Sequence, residues 1–354
     1  MEEQREERRL SDPAGAGAGA PRRRERREVR IFVDAAELTR AAAEEVTAAL
    51  ARRDDSQFLA ETAGVAGAAS AASAGVAAPF PSFALSGGST PRALYRLLVD
   101  PAAPFRGEID WQAVHFFWGD ERHVPPDHTD SNFRMAREAM LDHVQVPTAH
   151  VHRIAAEEPD AARAAQLYER ELIEAFGLRT DDDDGAGAAG DWPQSDQAAR
   201  AFPRSDQVRD WPQSHQARDF PRFDLVLLGL GEEGHTASLF PGSPLLTQDA
   251  QPATASEARE RPPGRSPRRP RQLAAAVWVE KLETWRITLT PPMLNHAATV
   301  IFLVSGAAKA PALAAVLEGE PRPELYPAQV VAPIDGRLLW LVDRAAAAQL
   351  RSRP

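Results

Sequence analysis

Short apolar runs alternate with amphipathic helical segments along most of this chain, and this alternation constrains the fold more than any other feature. The runs lie at 29–33, 83–85, 114–118, 225–230, 287–289, 300–304 and 338–342. Helical periodicity lies between them, for example Leu38, Ala42, Val46 and Leu50 after a capping-box pair, Asp34 and Glu37. The alternation predicts an α/β fold of three layers, a mostly parallel sheet with helices on both faces. Ligands bind such folds beyond the carboxyl ends of the strands.

Three segments have a composition that predicts disorder rather than a packed core. Residues 1–27 are rich in Arg and Glu around a Gly-Ala repeat, residues 181–221 contain Asp-Trp-Pro-Gln-Ser twice, and residues 250–271 hold six arginines among five prolines. Chains with few large apolar residues bury too little surface to fold. We therefore predict a disordered tail over 1–27 and one α/β domain over 28–350, with disordered insertions at 181–221 and 250–271. The repeat could bind a partner, although a duplicated surface loop is the simpler interpretation.

Charge and composition narrow the functional classes. The net charge of −10 argues against general binding to a phosphate backbone, so we expect no nucleic-acid partner. No apolar run approaches the ~20 residues of a membrane span, and the charged N-terminus lacks a signal core, so we expect a cytoplasmic protein without a membrane partner. The absence of cysteine removes disulfides, thiolate metal sites and cysteine nucleophiles. The histidines show no spacing that supports a metal site.

Residues 229–242 place glycines and a histidine directly after the apolar run 225–228. Three of the glycines match the G-x-G-x-x-G spacing of dinucleotide-binding loops, and Asp249 follows at a suitable distance. However, Pro241 and Pro244 would stop any helix within one or two turns, whereas a dinucleotide fold needs a long one. We therefore interpret the stretch as a loop that presents His235, whose ordinary pKa suits acid–base chemistry. Glu233 could orient the imidazole, and a histidine that only caps a short helix is the alternative.

Two other loops suit an anion. After the run 83–85, two glycines and two hydroxyl side chains open a predicted helix with Thr90 at the N-cap, an arrangement that can hold a phosphate: Gly87, Gly88, Ser89 and Thr90. After the run 300–304, Lys309 lies about one turn into a helix and could supply a point charge. A capped β–α turn and a solvent-facing lysine are the corresponding structural alternatives.

A charged group follows the run 114–118. Asp120, Glu121 and Arg122, with Asn132 further on, could bind sugar hydroxyls, hold a histidine or clamp a phosphate. A surface salt-bridge cluster is the alternative, and the triplet alone does not decide between them.

Four motifs occur in a fixed order: Ser-Gly-Gly-Ser-Thr-Pro at 86–91, Gly-Asp-Glu-Arg at 119–122 with Ser-Asn at 131–132, the glycine–histidine stretch at 229–242, and Ser-Gly-Ala-Ala-Lys at 305–309. With them the chain resembles the glucosamine-6-phosphate isomerase/6-phosphogluconolactonase family from about residue 29 to 344. Thr-Ala-Ser-Leu-Phe after His235, and the arginine after Asp120-Glu121, are similar to the lactonase branch rather than to the deaminases.

The resemblance implies a Rossmann-like fold of the sugar-phosphate isomerase type and hydrolysis of 6-phospho-D-glucono-1,5-lactone to 6-phospho-D-gluconate, without a cofactor or metal. It implies that His235 is the general base, with Glu233 beside it where the family usually has aspartate. It also implies a substrate site formed by Gly87, Gly88, Ser89, Thr90, Asp120, Glu121, Arg122, Asn132, Gly234 and Lys309. A deaminase/isomerase-type enzyme and a non-catalytic sugar-phosphate-binding protein are the alternatives, and the oligomeric state stays open.

Overall fold

The computed structural model describes residues 27–51, 76–77, 79–178, 220–246 and 272–351. Most of the predicted tail and of the two predicted insertions lies outside the described residues, so their predicted disorder stays a prediction. At two positions the ordered structure extends into a segment that was predicted to be disordered. Arg27 already belongs to the first strand, and Pro221 begins a short strand that pairs in parallel with residues 76–77.

The described residues contain eleven strands and seven α-helices. The strands are β1 (Arg27–Phe32), β2 (Val76–Ala77), β3 (Ser82–Leu85), β4 (His115–Trp118), β5 (Asp120–Arg122), β6 (Pro221–Arg222), β7 (Leu225–Gly229), β8 (Ala274–Val279), β9 (Thr284–Leu289), β10 (Thr299–Val304) and β11 (Arg337–Asp343). The helices are α1 (Ala35–Ala51), α2 (Ser89–Leu98), α3 (Phe105–Glu108), α4 (Asn132–Ala139), α5 (Ala161–Ala175), α6 (Pro291–Asn295) and α7 (Ala310–Glu318).

Six of the strands form one parallel sheet in the order β1-β11-β10-β7-β3-β4, which confirms the predicted α/β class. The chain adds β4 on one side of β3 and then β7, β10 and β11 on the other side. The direction of winding therefore reverses between β3 and β7. The loops after these two strands diverge there, and the crevice between them is the usual ligand site of such a sheet.

A second, antiparallel sheet with the order β5-β9-β8 adjoins the end of β4. Its position is fixed where the Leu289 N–H donates to the Gly119 carbonyl at 2.9 Å. Sequence patterning predicted a strand at 287–289 but assigned it to the main sheet. The structure corrects this, and it also turns the charged triplet at 120–122 from a loop into the short strand β5.

The hydrophobic core lies between the main sheet and the helices that pack on it. Every residue of β3 and β10 is buried, as expected for inner parallel strands. Helix α1 packs against β11 and α2, whereas α5 packs against the second sheet. The predicted capping box starts α1, because Asp34 Oδ1 accepts from two helical N–H groups while Glu37 Oε2 accepts from the Val33 N–H.

Helix α2 begins earlier than predicted. Its N-cap is Gly88, with φ of 108°, and not Thr90. Glycine tolerates this left-handed backbone, which a side chain at this position would strain. Within the described parts of the chain, no helix combines the length and the apolar character needed to cross a membrane.

Candidate active site

Four neighbouring strands of the main sheet bring the predicted polar motifs to one edge. The loops at 86–88, 119, 230–242 and 305–309 follow β3, β4, β7 and β10, which lie side by side in the order β10-β7-β3-β4. Since parallel strands end at the same edge, residues from positions 87 to 309 meet there. The loop after β7 lies at the switch point, with the glycine loop after β3 on one side and the loop of Lys309 after β10 on the other.

The loop after β7 is a tight turn rather than the start of a helix. The Gly231 N–H donates to the His235 carbonyl at 2.8 Å, and the Thr236 hydroxyl donates to the Gly229 carbonyl at 2.8 Å. Gly234 has φ of 80° and Ala237 has φ of 46°, a conformation that alanine rarely adopts. Residues 229–243 contain no helix, so the structure excludes the dinucleotide-binding geometry.

The His235 ring is held by contacts on its faces. The ring stacks on Phe240 with centroids 4.1 Å apart and an interplanar angle of 23°. A Cβ added at Gly231 would lie only 2.0 Å from His235 Nδ1 and 2.1 Å from Cε1, so glycine is required for the ring to lie where it does. Packing therefore fixes the orientation of the imidazole.

Burial lowers the pKa of His235, which Glu233 and Asp120 partly offset, while the positive charges of Lys309 and Arg286 lower the pKa further. The imidazole is therefore neutral near pH 7. His235 Nδ1 is shielded and makes no hydrogen bond to any described residue, although Glu233 Oε2 lies 3.5 Å away. The predicted carboxylate partner is thus in place, but it acts through its charge.

Glu233 has a second partner that the sequence did not indicate. Its Oε1 accepts a hydrogen bond at 3.1 Å from Nζ of Lys281, which lies in the turn between β8 and β9. Burial raises the pKa of Glu233, but the hydrogen bond from Lys281 and the nearby charges outweigh this effect and hold the pKa below its usual value. Glu233 is therefore ionised and links the histidine loop to the second sheet.

Asp120 is a buried anchor between three elements. Its Oδ2 accepts from the Ser238 hydroxyl at 2.6 Å, and its Oδ1 accepts from Asn132 Nδ2 at 3.2 Å. The Ser238 N–H in turn donates to the Thr288 hydroxyl at 3.3 Å. The carboxylate thereby connects β5, α4 and the histidine loop, and its charge reaches His235.

Glu121, predicted to contact substrate, has both carboxylate oxygens engaged inside the protein. Oε1 accepts from the Asn132 N–H at 2.7 Å and Oε2 from the Phe133 N–H at 2.8 Å, and the Ser131 hydroxyl donates to Oε2 at 3.1 Å. The side chain is 2% exposed. Glu121 therefore caps α4, where a negative charge meets the positive end of the helix, and this placement favours a structural role over substrate contact.

The glycine loop after β3 is fixed by α4 and by Tyr95. Asn132 Nδ2 donates to the Asp120 carbonyl at 2.9 Å, and a Cβ at Gly87 would lie 1.8 Å from Asn132 Oδ1. The buried Tyr95 hydroxyl donates to the Ser86 carbonyl at 2.8 Å and accepts from the Ser86 N–H at 2.9 Å. Since α2 starts at Ser89, its first N–H groups are available for an anion.

Lys309 reaches the site from a loop that Asp343 holds in place. The Ser305 hydroxyl donates to Asp343 Oδ2 at 2.5 Å, and the Gly306 N–H donates to the same carboxylate. Lys309 Nζ lies 3.9 Å from Glu232 Oε1, with 28% of the side chain exposed. Its ammonium is therefore only loosely paired, and its charge acts on His235.

Sequence reasoning missed Phe240, Asp343 and Arg286 as parts of this site. Phe240 lay inside a motif already singled out, and Asp343 directly follows the predicted strand 338–342, so both could have been inferred from position. Arg286 lies on β9, whose pairing with β5 joins residues far apart in the chain. In the parts of the chain that the structure describes, no group of three or more histidine or acidic side chains is arranged to hold a metal ion.

Fold and site together define an α/β protein whose crevice lies at the switch point of a parallel sheet, formed by a histidine loop with a glycine loop on one side and the loop of Lys309 on the other. The chain belongs to the family described as glucosamine-6-phosphate isomerases/6-phosphogluconolactonase, whose model matches residues 34–340. It is 37% identical over 270 residues to a 6-phosphogluconolactonase from Synechocystis sp., covering 76% of this chain and 85% of that protein. It is 34% identical over 274 residues to one from Mycobacterium tuberculosis, covering 76% and 84%.

Solved structures give the same result for the fold. The 6-phosphogluconolactonase of Trypanosoma brucei aligns with a TM-score of 0.61 and 25% identity, over 91% of this chain and 98% of that one. A monomeric glucosamine-6-phosphate deaminase aligns with a TM-score of 0.57 at 16% identity, over 91% and 99%, which shows a shared fold.

Proposed function

We propose that this protein hydrolyses 6-phospho-D-glucono-1,5-lactone to 6-phospho-D-gluconate, the reaction of the oxidative pentose phosphate pathway that the names of its relatives describe. The observation that carries the proposal is the neutral His235 imidazole at the switch point, held by Gly231 and Phe240 beside an ionised carboxylate. A lactone is an activated ester, so a positioned base and a bound water suffice for its hydrolysis. Location in the cytoplasm and the lack of nucleic-acid and membrane partners stay predictions.

His235 acts as the general base in this proposal. Because Nδ1 is shielded and faces Glu233, we assign the proton of the neutral ring to Nδ1 and the basic lone pair to Nε2. Nε2 removes a proton from water as the oxygen attacks the lactone carbonyl carbon, C1. The resulting imidazolium then returns the proton to the ring oxygen as the C1–O bond breaks. A positioned base of this kind contributes ~10²–10⁴ in rate.

The phosphate binds at the start of α2. There the N–H groups of Ser89 and Thr90 and the positive end of the helix suit a dianion, and Lys309 supplies a positive charge. Gly88 leaves the backbone open towards the phosphate, whereas Gly87 makes room for Asn132 and Gly234 makes room for Tyr326, so these two glycines set the shape of the loops. Binding energy from this end of the substrate then positions C1 beside His235.

The test is a coupled assay on freshly prepared lactone, in which a dehydrogenase reports 6-phosphogluconate above the spontaneous rate. We expect His235→Ala to lose most of the activity while it still binds 6-phosphogluconate, and Lys309→Ala to raise KM. His143→Ala is the matched control, since His143 is exposed and its ring bonds the Glu138 carbonyl at 3.0 Å. Full turnover by His235→Ala would remove the histidine from the mechanism, and inactivity of the wild-type protein would refute the proposed reaction.

A further inference from the structure

Two arginines occupy directly opposite positions on neighbouring strands of the second sheet. In the antiparallel pair of β5 and β9, Arg122 and Arg286 are register partners. Side chains in such a position have Cβ atoms roughly 5 Å apart, and like charges there destabilise a sheet. An unfavourable pair of this kind at the edge of a ligand crevice points to an anion that binds between the two guanidinium groups.

The local carboxylates do not neutralise Arg286. Among the described residues no carboxylate lies within ion-pair distance of its guanidinium, and Nε is shielded from solvent without a hydrogen-bond partner. The negative charges that act on Arg286 belong to Asp120, Glu121 and Asp130. Asp120 is bonded to Ser238 and Asn132, and Glu121 caps α4. Asp120 and Glu121 are therefore not free to pair with the arginine, and the exposed Asp130 carboxylate lies 3.8 Å from His128 Nδ1.

The guanidinium group of Arg122 also has a nitrogen without a hydrogen-bond partner among the described residues. One of its terminal nitrogens donates to the Asp130 carbonyl at 2.5 Å, but its Nε is shielded and has no hydrogen-bond partner in the described part of the chain. Two guanidinium groups with unused donors thus occupy one wall of the crevice.

Arg286 and the proposed base, His235, both lie against the aromatic ring of Phe240. The guanidinium carbon of Arg286 lies 6.0 Å from the Phe240 centroid, and Phe240 stacks on His235. Lys309 and α2 approach from the main sheet, whereas Arg286 and Arg122 approach from the second sheet. Positive charges from both sheets therefore reach the proposed base, since Lys309 and Arg286 both act on His235.

We propose that Arg286, with Arg122, is the group that stabilises the oxyanion at C1 and then holds the product carboxylate, given the lactone hydrolysis proposed above. When water attacks, the carbonyl electron pair moves onto the carbonyl oxygen and forms an oxyanion beside the base. When the intermediate collapses, the C1–O5 bond breaks, O5 takes the proton from His235, and the new acid ionises. A negative charge at C1 is thus absent in the substrate but present in the intermediate and the product, as expected for a group that favours the transition state.

The experiment compares two ligands that share a phosphate. 6-Phosphogluconate carries a carboxylate at C1, whereas glucitol 6-phosphate carries a hydroxymethyl group there. We expect Arg286→Gln to lower kcat by ~10²–10³ with little change in KM. We expect it to weaken 6-phosphogluconate about 10-fold or more in calorimetry and to leave glucitol 6-phosphate unchanged, since loss of a charge-assisted hydrogen bond affects only the carboxylate. Lys309→Met should weaken both ligands.

Two further variants keep the comparison decisive. Arg286→Lys retains the charge and should recover part of the preference for 6-phosphogluconate. Arg337→Gln, at the start of β11 in partly buried ion pairs with Glu45 and Glu28, is the control that should keep the wild-type kcat and ligand preference. Equal weakening of both ligands by Arg286→Gln would assign the arginine to the phosphate and overturn the inference. An unchanged kcat in a folded variant would do the same. An inactive wild-type protein would instead refute the proposed reaction, so the two failures are distinguishable.

Discussion

Replacement of Gly231 by alanine tests whether activity depends on the placement of the His235 ring. The added Cβ would lie 2.0 Å from Nδ1, 2.1 Å from Cε1 and 2.6 Å from Cγ of His235. Three similar distances place the methyl group over the ring face rather than at its edge. Non-bonded carbon atoms normally approach to about 3.5 Å, so the ring must move by roughly 1.5 Å. Phe240 stacks on the ring and limits this movement.

The expected size of the effect follows from this clash. The Gly231 backbone is not among those with positive φ, so alanine adds no backbone strain. Overpacking of a buried contact costs about 1–3 kcal/mol, and displacement of a catalytic group by about 1 Å can cost 10²-fold in rate. We therefore expect Gly231→Ala to lower kcat by ~10²–10³, to change KM little, and to destabilise the fold by about 1–3 kcal/mol.

The assay combines initial rates with urea unfolding in a double-mutant cycle. If the methyl group acts on the imidazole, the stability cost should disappear in the His235→Ala background, where the ring is missing. Gly229→Ala is the matched control, because a Cβ there would meet no described atom within 4 Å. Wild-type activity in Gly231→Ala, or the same destabilisation with and without His235, would refute the proposed placement of the ring.

Three further predictions concern titratable groups. Glu121→Gln should destabilise the fold by about 1–3 kcal/mol and lower the melting temperature accordingly. The reason is that the glutamine NH₂ would point at backbone N–H groups that now donate to the carboxylate. An unchanged melting temperature would contradict the capping role. Burial, with His150 and His152, lowers the pKa of His115 to about 3, so the unfolded chain protonates first and stability should fall as the pH drops from about 6.5 towards 3. Half-exposure of the ring limits this loss to roughly 1–2 kcal/mol, and His115→Phe should flatten the profile in acid unfolding. Glu233→Gln removes a charge that raises the pKa of His235, so the acid limb of kcat should move to lower pH; a shift to higher pH would contradict it.

The sequence allowed prediction of the site-bearing loops because hydrophobic runs locate strands and parallel strands all end at one edge. His235, Lys309 and the glycine loop at 86–90 were found in this way. The roles of Asp120 and Glu121 could not be assigned from the sequence, because a charged triplet looks the same whether it faces a ligand or a helix end. Burial decides between these roles, and burial depends on where α4 packs.

The second sheet escaped prediction for a different reason. Strand β5 has only three residues, all charged, so it carries no hydrophobic period, and its partner β9 lies more than 160 residues away in the chain. Long-range pairing of this kind depends on register, which local patterns do not report. The opposition of Arg122 and Arg286 is a direct consequence of that register, so the arginine pair could be found only from the structure.

The longer carboxylate of Glu233 explains how two parts of the site are connected. Its Oε1 bonds Lys281 on the second sheet, while its Oε2 faces His235 at 3.5 Å, too long for the hydrogen bond that usually orients a catalytic histidine. The ring does not need that bond, since Gly231 and Phe240 already fix its plane. The carboxylate is left to offset the lowering of the His235 pKa by burial and cationic neighbours. Orientation by packing and tuning by charge are therefore separate functions here, which is why loss of the Gly231 space should affect rate and loss of the Glu233 charge should affect pH dependence.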